Sequence, residues 1–111
     1  VDYPAEQAAL ARLNSRDPTV ADRFELVVEG VEIANGYYEL TDPVEHRLRF
    51  ELDNEIRRSR GLAVQPLDEL FLAALQAGLP DCAGVALGVD RLLMQKLESD
   101  SLDEVLTFRP H

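Results

Sequence analysis

The sequence predicts an α+β domain, an antiparallel sheet flanked by helices. Three observations carry this. Residues 23–40 alternate in polarity as two strands joined at Gly30. Residues 83–89 form a third short apolar run, interrupted by glycines. Between and after them, apolar residues recur at helical spacing.

Each element has its own local reason. Tyr3 to Leu13 is Ala-rich and is expected as a short helix; Asn14 to Thr19, polar and containing Pro18, is expected as a loop. In Arg23 to Gly30, Phe24, Leu26 and Val28 point one way and Glu25, Val27 and Glu29 the other. Val31 to Leu40 returns as the second strand, running through Asn35-Gly36. The competing reading makes Asn35-Gly36 a hairpin turn with surface side chains. Thr41-Asp42-Pro43 starts a helix: Asp42 caps, Pro43 suits the first helical position, and Glu45 has capping-box spacing. Val44, Leu48, Leu52 and Ile56 mark its expected buried stripe, and Gly61 ends it. Gln65-Pro66 to Ala77 is a second helix, closed by Gly78 and Pro80. Ala83 to Val89 is the third strand, with Val85, Leu87 and Val89 expected in the core. Asp90 to Leu97 is a helix, Ser101 to Val105 a short turn, and Leu106 to Phe108 extended.

Composition narrows the functions. The chain has 111 residues, 21 Asp+Glu against 11 Lys+Arg, and net charge −10. That argues against a surface that grips nucleic acid through its phosphates. The longest uncharged run, Leu70 to Pro80, is shorter than the roughly 20 residues a membrane-spanning helix needs. The single cysteine, Cys82, excludes an internal disulfide and suits a reducing compartment. With no base in motif spacing, Cys82 is expected to be buried rather than nucleophilic. The chain opens with Val1 and its one methionine is Met94, so it reads as a piece of a larger protein.

The stretch Gly84-Val85-Ala86-Leu87-Gly88-Val89-Asp90-Arg91 is the most informative. In a strand, Gly84, Ala86 and Gly88 share one face, flat and bare. Repeated glycine marks close approach of a ligand or of another backbone; tight packing of a helix there is the plain alternative. Arg91 falls in the first turn of the next helix, where the dipole disfavours a cation by about 0.3–1 kcal/mol. An anion such as phosphate beside it accounts for the placement, and Asp90 is its cap or ion-pair partner.

Glu25 and Glu32 flank the Gly30 turn and are candidate cross-strand neighbours. Two carboxylates at one spot repel unless a cation lies between them, and Mg2+ with substrate phosphates meets that need. The alternative is a solvated acidic face. Asn35, Tyr37 and Glu39 share a strand face that can hold a small ligand carrying an ammonium group. Strict alternation puts Glu32 on the opposite face, so a single pocket requires a bulge at Ala34-Asn35-Gly36. Arg47, Arg49, Arg57, Arg58 and Arg60 crowd one helix, as ordinary surface cations or as a dock for an acidic partner. His46 and His111 form no ligand pattern.

Taken together, the segments Ala21 to Glu25, Gly30 to Asp42 and Gly84 to Arg91 resemble the C-terminal half of a class II lysyl-tRNA synthetase catalytic domain. Ala86-x-Gly88-x-x-Arg91 looks like class II motif 3, and Asp2-Tyr3-Pro4 resembles the start of the same region. Ala34 and Ala86 stand where those synthetases usually carry Gly. With Asp81 to Arg91 and the run Phe50 to Gly61, they make the chain most similar to the elongation factor P–(R)-β-lysine ligase family, truncated paralogues of the synthetase.

The resemblance implies a partial class II catalytic domain, residues 1–111 forming one C-terminal segment with motif 3 at 84–91. It implies an ATP-dependent ligase that adenylates (R)-β-lysine and transfers it to a lysine of translation elongation factor P. Glu25 and Glu32 match the Mg2+/ATP carboxylates, with Glu32 also near the amino acid. The backbone around Glu25 and Leu26 meets ATP. Asn35, Tyr37 and Glu39 match the lysine pocket, Glu39 pairing with the side-chain ammonium, and Ala86 lines it. Gly88 lies under the adenine or ribose and Arg91 on the phosphates, the one candidate catalytic residue. Tyr37 replaces the usual Phe, a change expected to matter little. Motifs 1 and 2 are absent, so these 111 residues alone are expected to be inactive. The resemblance further implies a cytoplasmic, homodimeric full-length enzyme with no tRNA and no membrane partner. The rival readings are a fragment of a lysyl-tRNA synthetase charging tRNA and a noncatalytic synthetase-like binding module.

Overall fold

The computed structural model describes residues 1–108. His111 lies outside them. The architecture is α+β with antiparallel sheets, as expected. The order is β1 (Tyr3–Pro4), β2 (Val20–Ala21), β3 (Arg23–Val28), β4 (Val31–Tyr38), α1 (Pro43–Ser59), α2 (Glu69–Ala77), β5 (Ala83–Leu87) and α3 (Val89–Leu97). β1 and β2 form a small ribbon, and the main sheet runs β3-β4-β5.

The N-terminal helix is absent. Only Ala5–Gln7 makes a 3-10 turn, and Ala9 adopts φ 51°, which breaks helical continuation. The alanines serve close packing instead. Ala8, Ala11 and Ala21 are 3%, 0% and 0% exposed and make a small core, with Leu13 and Tyr37 packed against it. Ala11 and Leu13 bridge to Glu39 and Ala21. The Asn14 side chain organises the next loop by accepting from the Arg16 and Asp17 amides at 2.9 and 3.0 Å.

β3 and β4 are joined at Glu29 and Gly30, with φ 49° and 77°. No turn forms at Asn35-Gly36; β4 runs through it, and the Phe24 ring lies across Gly36 where any side chain would collide. Asp42 caps α1, accepting from the Val44 amide at 2.9 Å. Glu45 pairs with Arg49 rather than closing a capping box. Asp68 caps α2 by accepting from the Phe71 amide at 2.9 Å, so that helix begins later than Gln65. α3 is entered from Gly88, so Asp90 is not its cap.

Two expectations about burial fail together. The predicted α1 stripe is exposed: Val44 69%, Leu48 50%, Leu52 56% and Ile56 48%. The covered stripe is His46, Phe50 and Asn54, about 200° around the helix from it. His46 is buried, its Nε2 hydrogen-bonded to the Leu40 carbonyl and its ring against Phe50 and Phe71. On β5, Val85 and Leu87 are exposed, as is Val89, because nothing among the described residues covers that side of the sheet. The arginines of α1 mostly serve the fold. Arg47 pairs with Glu69, Arg58 with Glu55, Arg57 donates to the Ala63 carbonyl, and Arg49 donates to the Ala9 and Ala11 carbonyls. No described helix is long and apolar enough to cross a membrane.

Candidate active site

Register decides which side chains meet. Arg23, Phe24, Glu25 and Leu26 pair with Tyr37, Gly36, Asn35 and Ala34. The ladder then shifts, so that Val27 pairs with Glu32 and Val28 with Val31. Ile33 is therefore the extra residue, a bulge on β4. The expected bulge between Ala34 and Gly36 does not exist; there β4 is regular against both neighbours, with Ala34, Asn35 and Gly36 opposite Leu87, Ala86 and Val85. Ile33 takes that role because its side chain is buried, 2% exposed, and its carbonyl accepts from the Gly88 amide at 2.8 Å.

The displaced bulge has the consequence sought from the other one. Opposed residues of an antiparallel pair share a face, and i, i+2 neighbours on one strand share a face. Glu25 and Val27 thus carry Asn35 and Glu32 onto one side. Arg23, Glu25, Glu32, Asn35, Tyr37, Gly84 and Ala86 all belong to it; Phe24, Leu26, Val85 and Leu87 belong to the other. Leu26 enters only through its backbone, paired with Ala34.

Asn35, Tyr37, Glu39, Gly84 and Ala86 line a cavity of about 350 Å3. Gly84 is bare for a reason visible here: a methyl on it would fall on the Glu39 carboxylate. The carboxylate lies directly on the strand, facing the pocket. The Glu39 backbone is held by Cys82, whose carbonyl accepts its amide at 2.9 Å, and by Arg12 Nε, which donates to its carbonyl at 3.3 Å. Arg12 also reaches Asp81 at 2.8 Å and the Thr41 hydroxyl at 3.2 Å.

Glu25 accepts from Arg23 Nη2 at 2.7 Å. A hydrogen bond to Glu25 also pushes the Tyr3 phenol pKa up, and the nearby charge of Glu32 acts in the same direction. Among the described residues Glu32 has no hydrogen-bonding partner for its carboxylate, and no third His, Cys, Asp or Glu joins the pair in a metal-binding group. Register sets Glu25 opposite Asn35 and Glu32 opposite Val27, so the two carboxylates share a face but are not the direct cross-strand pair expected; as hard oxygen donors they suit Mg2+ only with phosphate and water oxygens completing its shell. Arg91 Nη1 donates to the Glu32 carbonyl at 2.8 Å, and both residues line a second cavity of about 320 Å3. The remaining Arg91 nitrogens are unbonded among the described residues. Its stem packs over Gly88, where a side chain would crowd it. A third cavity, about 510 Å3 between α1 and residues 60–68, holds none of the predicted site residues.

The sequence model of class II tRNA synthetases (D, K and N) matches residues 1–110. The chain belongs to the class II tRNA synthetase family. Among curated proteins it is similar to three named elongation factor P–(R)-β-lysine ligase. That of Vibrio cholerae is 55% identical over 107 residues, that of Klebsiella pneumoniae 57% over 106, and that of Proteus mirabilis 58% over 106. Each alignment covers 96% of this chain and 33% of the relative, so the chain spans about a third of the length of the curated relatives it matches.

Within this class II framework, sequence reasoning missed two arginines. Arg23 and Arg12 each bind several site elements; Arg23 lies within the resembling segment Ala21 to Glu25 but was given no role, and Arg12 lies outside those segments. Arg23 was legible in principle, since period-two spacing sets it on the Glu25 face. Arg12 was not, because its segment looked helical. The Tyr37 hydroxyl accepts from Asn35 Nδ2 at 2.7 Å, a contact a phenylalanine there cannot make.

Proposed function

We propose that this chain is the C-terminal, motif 3-bearing segment of the catalytic domain of an ATP-dependent ligase. That enzyme adenylates (R)-β-lysine and passes it to a lysine of translation elongation factor P. The observation that carries the reading is the Glu39 carboxylate lying on bare Gly84 in a cavity shared with Asn35, Tyr37 and Ala86. The names of the relatives support the same substrate pair.

In this reading the amino-acid carboxylate attacks the α-phosphorus of ATP and pyrophosphate leaves. A lysine amine of the factor then attacks the acyl carbon and AMP leaves. Glu39 binds the distal ammonium, and Asn35 and Tyr37 position the stem. Arg91, with nitrogens free beside Glu32, offsets phosphate charge; no covalent enzyme intermediate is needed. Glu25 and Glu32 would hold Mg2+, which would supply further charge neutralisation. The backbone of Glu25-Leu26 and bare Gly88 border the nucleotide. The full-length enzyme acts in the cytoplasm as a homodimer and without tRNA.

The experiment is adenylation by the full-length protein, with the Ala86→Gly variant beside it. Ala86 is opposite Asn35 on the pocket face, so its methyl discriminates an α- from a β-amino group. A methylene-sized difference is worth about 1–3 kcal/mol. The expected result is preference for (R)-β-lysine over L-lysine in the parent and a reduced preference in the variant. L-lysine as the better substrate of the parent, with aminoacylation of tRNA, would establish the synthetase reading instead.

A further inference from the structure

We propose that Arg23 is a positioning residue that fixes the hydrogen-bond polarity of the amino-acid pocket, leaving the Tyr37 hydroxyl as a donor to the bound amino acid. The proposal rests on the reading of that cavity as the amino-acid site.

Each Arg23 nitrogen has a protein partner. Nη2 donates to Glu25 Oε1 at 2.7 Å, Nη1 to the Gln7 carbonyl at 2.7 Å and Nε to Asn35 Oδ1 at 3.2 Å. The guanidinium also lies 4.6 Å from the Tyr3 ring centre and 5.5 Å from that of Tyr37. Its side chain is 15% exposed and that of Glu25 18%. Three of its five N–H donors thus hold neighbouring groups in place.

The chemistry of the donors makes the chain directional. Arginine can only donate, so the Asn35 amide must turn its oxygen to Arg23. Its nitrogen then faces Tyr37 and donates to the hydroxyl oxygen at 2.7 Å. The two ends of an amide are alike in shape, and here a donor-only neighbour chooses between them. With its oxygen accepting from Asn35, the Tyr37 hydroxyl has its proton to give, and among the described residues that proton has no acceptor. Tyr37 and Asn35 both line the cavity where the Glu39 carboxylate awaits a cation. The pocket therefore offers an acceptor at Glu39 and a donor at Tyr37. That pattern suits a ligand with an ammonium at one end and an oxygen or uncharged amine nearer the other. A phenylalanine at this position lacks the donor.

The test uses the full-length protein, with (R)-β-lysine and L-lysine as probes in ATP–pyrophosphate exchange. Tyr37→Phe, which keeps the ring, is expected to raise the amino-acid KM about tenfold, the scale of one hydrogen bond to a charged group. Arg23→Lys cannot span Glu25 and Asn35 together and is expected to raise the same KM to a similar degree. The combined variant should be little worse than either alone, because both act on one hydrogen bond; a purely structural role would multiply the effects and lower the thermal midpoint in step. An amino-acid KM within twofold of the parent in Tyr37→Phe, or multiplicative effects in the double variant, would overturn the proposal while leaving the site reading intact. Should Arg23→Lys not fold, the Tyr37→Phe result decides alone. A parent protein that activates neither lysine isomer overturns the site reading and this proposal together.

Discussion

Gly84 shows how one missing side chain builds a binding surface. A Cβ there would meet only the Glu39 carboxylate, the far end of a flexible chain, so Gly84→Ala should fold normally. The displaced carboxylate should nevertheless bind an ammonium poorly. We expect the amino-acid KM of the full-length protein to rise at least about tenfold, as for loss of a charge-assisted hydrogen bond, with the thermal midpoint nearly unchanged; steady-state kinetics and a melting curve check both. Tyr3 reports on the carboxylate pair from the other side. Its phenol is held above the ordinary 10.0 by a hydrogen bond to Glu25, with the charge of Glu32 adding to this. Being raised, it keeps its proton to higher pH, so the Glu25 contact persists through neutral pH and is lost only as alkali titrates the phenol. Ultraviolet titration of the parent against Tyr3→Phe isolates this phenol, and Glu25→Gln should bring it back towards the ordinary value.

At the level of elements, the bulge at Ile33 is what unites the site. Without it Glu32 would face away from Glu25 and Asn35; with it, acidic and amide groups share a face although their sequence spacing is odd. The need for an irregularity was legible in the parity of Glu32 and Asn35. Its position was not, because it depends on burial of Ile33 and on the Gly88 amide reaching the Ile33 carbonyl. Helix starts divide in the same way. Asp42 and Pro43 announce α1 locally, whereas Asp68 overrides the Gln65-Pro66 signal for α2. The Asp42 cap is expected to be worth about 1 kcal/mol. Urea unfolding of Asp42→Ala, followed by far-ultraviolet circular dichroism, should show that loss with an unchanged denaturant slope.

Over the whole molecule, apolar surface is distributed unlike that of a compact domain. The radius of gyration is 16.9 Å, against about 13 Å for a compact chain of this length. The sheet side carrying Phe24, Leu26, Val85 and Leu87 is uncovered, as is the α1 stripe from Val44 to Ile56. Exposed apolar surface this extensive marks an interaction face. Its position behind the pocket fits a segment meant to pack within a larger catalytic domain. We therefore expect the 111-residue chain alone to be inactive in ATP–pyrophosphate exchange, while the full-length protein is active with lysine or β-lysine. Exchange by the short chain at rates like those of the full-length protein would contradict the segment reading.

By itself the sequence determined the α+β class, the order of strands and helices from Arg23 onward, and the residue types that line the cavity. These follow from local periodicity, from caps and from the glycine-spaced run at 84–91. The tertiary structure decided the side of the sheet on which those residues meet, the face of α1 that is covered, and the roles of Arg12 and Arg23. Each of those depends on strand register or on contacts between distant segments. Ladder register is set by burial and by hydrogen bonds across the sheet, and a shift of one residue exchanges the faces of a strand.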